Sequence, residues 1–497
     1  MTKLPAGRVF DIFAEICQVP RPSKHEEQIS RWLQEWAKAH SIECIADEAM
    51  NVIMRVPATP GYEGHEGVIL QAHMDMVCEK NNDVTHDFMK DPIETYVDGE
   101  WLKAKGTTLG GDDGIGISMA LAAITDPELK HPAIECLFTV DEETGLTGAM
   151  KLKDGMLKHK RLINLDSEDD GQIFIGCAGG IDTLAKMHYE PVNNSQFTIH
   201  NSQCTMHNAQ LGIRLSVRGL MGGHSGDDIN KGRANANQIL VWFLARIWPQ
   251  AEIQLASING GNLRNAIARE AEAVIAIPMA YKEQIRIEWN NYVAQMEGVF
   301  GEVEKEMQLE LETTDMPETF VPADKAYRLV MALCECPHGM IAMSHEMPGL
   351  VETSTNLASI KMKKTINPDL HVIEVNTSQR SSKEPAKHHL KWAVEQALSL
   401  ACDEVTHGDG YPGWAPNPSS QLLGVVKKAY EDLFKSEPKV LAIHAGLECG
   451  LFLEKYPYLD MVSIGPQMYG VHSPSERLSI PSTERCYRWL CRTLETL

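Results

Sequence analysis

Apolar residues recur at three- and four-residue spacing from Val9 to about His40, with Ile29, Leu33 and Trp36 on one stripe, and this predicts a helical opening segment. Beyond it, short apolar runs are separated by amphipathic or glycine-rich stretches. Val68-Ile69-Leu70, Ile134-Glu135-Cys136-Leu137-Phe138, Leu162-Ile163-Asn164-Leu165 and Met461-Val462-Ser463-Ile464 read as central strands of an open α/β sheet. From about Ala185 to Gly408 the texture changes. Leu211 to Val217 alternates apolar with polar residues, as a half-exposed strand does, and Ala273 to Ile277 and His371 to Val375 are further strand patterns. Helical patterns cover Asn235 to Ile247 and Lys387 to Ala401. The expected architecture is an α/β domain over residues 1–184 and 409–497, interrupted by an α+β insertion over 185–408. Tyr411-Pro412-Gly413-Trp414-Ala415-Pro416 marks the re-entry. The polar stretch from Pro191 to Asn208 carries no role that the pattern reveals.

Acidic and histidine clusters stand just past the apolar runs, where an open α/β sheet gathers its ligands. His73 and Asp75 are two apart at a strand end, so their side chains face the same way, and Asp75 can orient a metal-binding His73. Asp112 and Asp113 are adjacent like charges bracketed by glycines. That pair is a surface turn unless cations are supplied, in which case Asp112 is the residue to bridge two of them. Asp141-Glu142-Glu143 opens a turn or helix start. It is either an acidic helix N-terminus or one glutamate on a metal beside one on the attacking water. Asp166 ends an apolar run, where a carboxylate is costly unless paired or metal-bound, and His472 follows another. One binuclear metal site explains all of these clusters with fewer assumptions than a separate structural reason for each.

Composition narrows the class. The chain has 497 residues, enough for two or three domains, with 43% hydrophobic and 23% charged content typical of a globular protein. Its net charge of −22 argues against nucleic acid or an anionic membrane as partner. The twelve cysteines include no CxxC pair, and Cys44, Cys78, Cys136, Cys177 and Cys204 are expected to be buried reduced thiols. No segment approaches the roughly 20 apolar residues of a membrane span, and the N-terminus Met1 to Pro5 lacks a secretory pattern, so a cytoplasmic location is expected.

The ordered clusters resemble the di-zinc metallopeptidases and deacylases that include carnosinases, carboxypeptidases and acylornithine deacetylases. Longer stretches are similar to the bacterial aminoacyl-histidine dipeptidases, also called Xaa-His or cytosolic non-specific dipeptidases. They are Gln71 to Val77, Asn81-Asn82-Asp83, Gly176 to Asp182, Gly222-Gly223-His224-Ser225-Gly226 and His444 to Gly450. The resemblance runs nearly end to end. It implies a mixed-sheet zinc-peptidase domain with helices on both faces and an inserted lid and dimerisation domain that closes on the substrate. It also implies hydrolysis of dipeptides, Xaa-His dipeptides such as carnosine among them, by a metal-bridging water that a glutamate activates. His73 and Asp166 would hold one zinc, Glu143 and His472 the other, and Asp112 would bridge them, with cobalt or manganese as alternative metals. Asp75 would tune His73, Glu142 would be the general base, and the Asp112-Asp113 peptide bond would be cis. Members vary at the second residue of that pair, so Asp113 receives no catalytic role. His224, Asn265, Arg380 and Gly446 would bind substrate, with Arg380 clamping a carboxylate, His224 stabilising the oxyanion, and Gly446 and Glu448 on a loop lining the pocket. A homodimer is implied too. The alternatives are an N-acyl amino acid deacylase using the same metals, and a binding or scaffold protein that keeps the fold without activity.

Overall fold

The computed structural model describes residues 7–193, 210–367, 369–444 and 446–497. Cys204, the first residues of the N-terminus and most of the polar stretch from Pro191 to Asn208 lie outside the described residues. The opening periodic segment is two helices, Arg8–Ile16 and Glu27–Ala39, not one. Pro20 and Pro22 cause the break, because proline lacks the amide a helix needs and disfavours helical geometry in the residue before it.

Contacts divide the chain into two compact units. The first comprises the residues up to Cys177, Trp414–Ile443 and Leu447–Leu497, and the second Ala178–Gly413 and His444–Gly446. The changes of unit fall a few residues outside the expected positions 185 and 408. The cause is strand pairing: Gly179–Tyr189 pairs along its length with His371–Ser381, and Gly180 bridges to Tyr411, so both flanks of the insertion belong to its sheet.

The first unit is built on an eight-stranded mixed sheet in the order Glu43–Ala46, Val52–Val56, Ile134–Thr139, Val68–His73, Arg161–Asn164, Asp460–Ser463, Gln172–Cys177, Lys439–Ile443. Val68–His73 runs parallel to both of its neighbours, and every residue in it and in Ile134–Thr139 is buried, as expected of strands covered on both faces. Ile69, Leu137 and Leu162 pack in one cluster with Ala149, Cys449 and Phe452 from the short helices Thr147–Lys151 and Cys449–Lys455. The fully buried helix Gly111–Ile124 packs on the strand Val68–His73. A smaller antiparallel sheet joins Met468–Tyr469, Arg477–Ser479, Trp101–Ala104 and Thr95–Asp98, and the loop between its first two strands carries His472.

The second unit is an antiparallel sheet in the order Gln308–Thr314, Gln210–Arg218, Ala271–Pro278, Gln254–Gly260, Val351–Lys364, His371–Ser381, Gly179–Tyr189, Glu404–His407, with Gly339–Met343 on Val351–Lys364. The helices Ala236–Ile247, Lys282–Phe300, Ala323–Glu335 and Glu384–Leu398 contribute to one core cluster with that sheet. Asn235 caps the first of them by accepting from Gln238 N. At the centre Phe243 meets Trp289 edge-on at 4.6 Å and Tyr292 at 5.3 Å.

Among the described residues Cys136 and Cys177 are buried, whereas Cys44 and Cys78 are only half-buried. Among the described residues no helix is long and apolar enough to cross a membrane. Phe243→Ala should lower unfolding stability by about 3–5 kcal/mol through the cavity it leaves. Urea unfolding measures this, and a loss below about 1 kcal/mol would contradict the packing described.

Candidate metal centre

The first unit places seven of the sequence-predicted residues at the carboxyl ends of its strands and in the adjoining loops. His73 ends the strand Val68–His73, Glu142 and Glu143 open the short helix after Ile134–Thr139, and Asp166 follows Arg161–Asn164 by two residues. Asp112 stands at the start of the helix Gly111–Ile124, which is entered through Gly110 at φ +67°, a left-handed conformation that suits glycine. The Asp112-Asp113 peptide bond is cis. His472 occupies its loop at φ +62°, an uncommon conformation for a residue with a side chain.

Asp112 is the centre of the arrangement. Its Oδ1 lies 2.9 Å from His73 Nε2, which is also 3.3 Å from Asp166 Oδ1. Its Oδ2 lies 3.2 Å from His472 Nε2, which is 2.8 Å from Glu143 Oε2. The donor atoms of His73, Asp112 and Asp166 all lie within 4.8 Å of one another, and so do those of Asp112, Glu143 and His472. Glu143 Oε1 is buried without a hydrogen-bond partner. Imidazole nitrogens and carboxylate oxygens, three to each group with one carboxylate shared, fit a pair of divalent cations with positions left open for water or substrate.

The electrostatics follow from crowding. Despite burial, which opposes it, His73 is pushed well above its usual range by Asp166 and Asp112. Hydrogen bonds that His472 donates to Asp112 and Glu143 raise it to about 11. Burial raises Asp112, but the two histidines outweigh it and hold this carboxyl far below the carboxylate range. Burial pushes Asp166 up to about 7 with Asp112 adding to it, and pushes Glu142 well above its usual value with Asp166 and Glu448 adding to it. Protons and cations compete for the same lone pairs here, which is how a metal centre behaves.

Asp75 braces this set. It is fully buried; its Oδ1 is 3.3 Å from His73 Nδ1 and accepts from Glu142 N at 3.0 Å, while its Oδ2 accepts from Glu143 N at 3.2 Å and Ser23 Oγ at 2.8 Å. Asp113 accepts from Gly116 N at 3.0 Å and His73 N at 3.3 Å, which is a bracing position. Two further carboxylates brace the site: Glu26, which the sequence does not single out, and Glu448, which the resemblance places on a loop lining the pocket. Glu26 Oε1 accepts from Asp141 N at 3.0 Å and so fixes the turn ahead of Glu142. Glu448 is fully buried, and its Oε2 accepts from Gln71 Nε2 at 2.7 Å and Thr139 Oγ1 at 2.6 Å. Burial raises it to about 8. The signal for Glu448 was its place in the His444 to Gly450 run, but its contacts lie beneath the strand ends of the first unit, whereas Gly446 belongs to the second.

The second unit brings the substrate-binding candidates into two adjoining groups. Ser225 N donates to Asn265 O at 2.8 Å, and His224 bridges to Ala266. Arg380 Nη1 donates to Tyr411 Oη at 3.2 Å, and a Cβ on Gly446 would lie 2.7 Å from the Tyr411 ring. Asp227 links the groups: its Oδ2 is 3.2 Å from His224 Nδ1, and its carboxyl is lowered first by that contact and also by the Arg380 charge. His444 is buried with Nε2 2.7 Å from Ser354 Oγ, and Ser354 pairs across the sheet with Arg380.

The chain matches Peptidase family M20/M25/M40 over residues 69–496 and belongs to that family. It is 38% identical over 501 residues to the Cytosol non-specific dipeptidase of Escherichia coli (strain K12), covering 100% of this chain and 99% of that protein. Among solved structures it is similar to the aminoacylhistidine dipeptidase from Vibrio alginolyticus, with a TM-score of 0.89 and 37% identity over 100% of this chain and 97% of that one. The aminopeptidase PepT from Bacillus cereus ATCC 10987 shares the fold at a TM-score of 0.60 and 16% identity, over 99% of each chain.

Burial, with the Arg380 charge adding to it, lowers His444 to about 4 from 6.5. Between those values the unfolded chain takes up a proton that folded His444 refuses, so stability falls as pH drops from 6.5 toward 4, by up to about 3 kcal/mol. Denaturant titrations at pH 7 and pH 4.5 should show a smaller acid loss in His444→Gln than in the unsubstituted protein. Equal losses would contradict the assignment.

Proposed function

We propose that this protein is a metal-dependent dipeptidase, with Xaa-His dipeptides such as carnosine among its substrates. The observation that supports this reading most is the two-sided position of Asp112, one oxygen toward His73 and the other toward His472. The identity of 38% over the whole chain to a dipeptidase supports the substrate class. His73, Asp112 and Asp166 would hold one divalent cation and Asp112, Glu143 and His472 the second, zinc first, with cobalt or manganese suited to the same donors. Bound there, the cations polarise the scissile carbonyl and acidify a water molecule.

The chain's own residues supply the rest. Glu142 Oε accepts the water proton and returns it to the leaving amine; its raised affinity for protons suits both steps. Asp75 keeps His73 oriented and fixes the Glu142 and Glu143 backbone. Arg380 offers a fork to the substrate carboxylate, His224 a donor to the developing oxyanion, and Asn265 and the bare backbone of Gly446 further contacts. The scattered cysteines, none in a CxxC pair, and the acidic charge fit a cytoplasmic location. Exposed Met340, Ile341 and Met343 on the strand Gly339–Met343 are compatible with the homodimer that belongs to this reading.

The test is hydrolysis of β-alanyl-histidine, ordinary dipeptides, a tripeptide and N-acetyl amino acids by protein stripped with chelator and reloaded with zinc. Dipeptide cleavage that vanishes on stripping and returns with metal is expected; cleavage of the N-acetyl amino acids alone would replace this reading with the deacylase. Glu142→Gln should lower kcat by about 10²- to 10⁴-fold with metal content unchanged. Near-normal turnover in that variant would remove Glu142 as the proton carrier.

A further inference from the structure

Arg21 stands between the two opening helices, in Pro20-Arg21-Pro22, and is only 3% exposed. Its guanidinium is spent on backbone carbonyls: Nη1 donates to Met74 O at 3.0 Å and Asp75 O at 2.8 Å, and Nη2 donates to Gly110 O. Those carbonyls belong to the two segments that present His73 and Asp75 on one side and Asp112 on the other. The amide side of the second segment is held by Glu476, whose carboxylate accepts from Leu109 N at 2.7 Å, Gly110 N at 3.1 Å and Gly111 N at 2.8 Å. A Cβ on Gly110 or Gly114 would lie 2.5 or 2.6 Å from Arg21 Nη2. The glycines around Asp112 therefore leave the space that the guanidinium fills.

We propose that Arg21 is a positioning residue of the metal centre, setting the separation of His73 and Asp112 by tying the Met74 and Asp75 carbonyls to that of Gly110. The inference rests on the metal-centre reading above. Two effects of the guanidinium oppose each other. Its positive charge disfavours a nearby cation, while its planar fork orients the segments that carry the ligands. Lysine would keep the charge but is a compact point donor without the fork, and methionine would keep the stem and lose both. Positioning requires both replacements to weaken metal binding. Charge alone requires Arg21→Met to bind metal more tightly and Arg21→Lys to bind it normally.

The experiment titrates Co²⁺ into the stripped full-length protein and into Arg21→Lys and Arg21→Met, following the visible cobalt absorption and then dipeptide kinetics. The expected result is cobalt binding about 10- to 100-fold weaker in both variants, an altered absorption spectrum, and a loss in kcat with KM within about twofold. Wild-type cobalt affinity and spectrum in either folded variant, or tighter binding by Arg21→Met, would overturn the proposal. Gly114→Ala presses a methyl group on Nη2 without altering Arg21, so it should give the same spectral change even if Arg21→Met does not fold; an unchanged spectrum there would overturn the proposal too. Failure of the unsubstituted protein to bind cobalt would remove the metal centre itself.

Discussion

The repulsion among carboxylates gathered at one end of the first unit's sheet governs the rest of its structure. Asp75, Asp112, Asp113, Glu142, Glu143, Asp166 and Glu448 converge on a region where most of them are buried and water cannot screen them. All of them but Glu142 are held by an identifiable device. Asp75 takes backbone amides and a serine, Asp113 the amides of Gly116 and His73, and Glu448 a glutamine amide and a threonine hydroxyl. Asp112, Asp166 and Glu143 share two imidazoles. Two divalent cations would supply the positive charge this arrangement asks for, and a shared Asp112 would keep them close enough to act on one substrate.

The scaffold explains why the devices come from distant parts of the chain. Parallel strands bring His73, Glu143 and Asp166 to one sheet edge, since each lies at or just past the end of its strand. Asp112 arrives through a glycine turn into a buried helix, and His472 through a loop of the separate small sheet. The insertion is a unit with its own aromatic core, and within it Asp227 joins the His224 group to Arg380. That division lets the metal-binding and substrate-binding candidates rest on independently packed frameworks.

Much of this was legible in the sequence, for physical reasons. Strands covered on both faces give apolar runs, so Val68 to Leu70 and Ile134 to Phe138 announced themselves, and a charge just past such a run is conspicuous because burial is costly. The helix Ala236–Ile247 was legible through its helical pattern. The opening segment carries apolar periodicity on both sides of Pro20 and Pro22, so the pattern alone hides the break between its two helices. Arg21, Glu26 and Glu448 were not marked as braces, because a residue that acts through backbone amides and carbonyls leaves no spacing rule in the chain. Only the folded register reveals which carbonyls an arginine can reach.

Two cations side by side with Asp112 between them would be magnetically coupled, and electron paramagnetic resonance of the manganese-loaded protein reads that coupling. At saturation the account predicts two Mn²⁺ ions per chain with an exchange-coupled spectrum, and loss of that coupling in Asp112→Asn. A single ion per chain, or two with the spectrum of isolated Mn²⁺ in the unsubstituted protein, would contradict it.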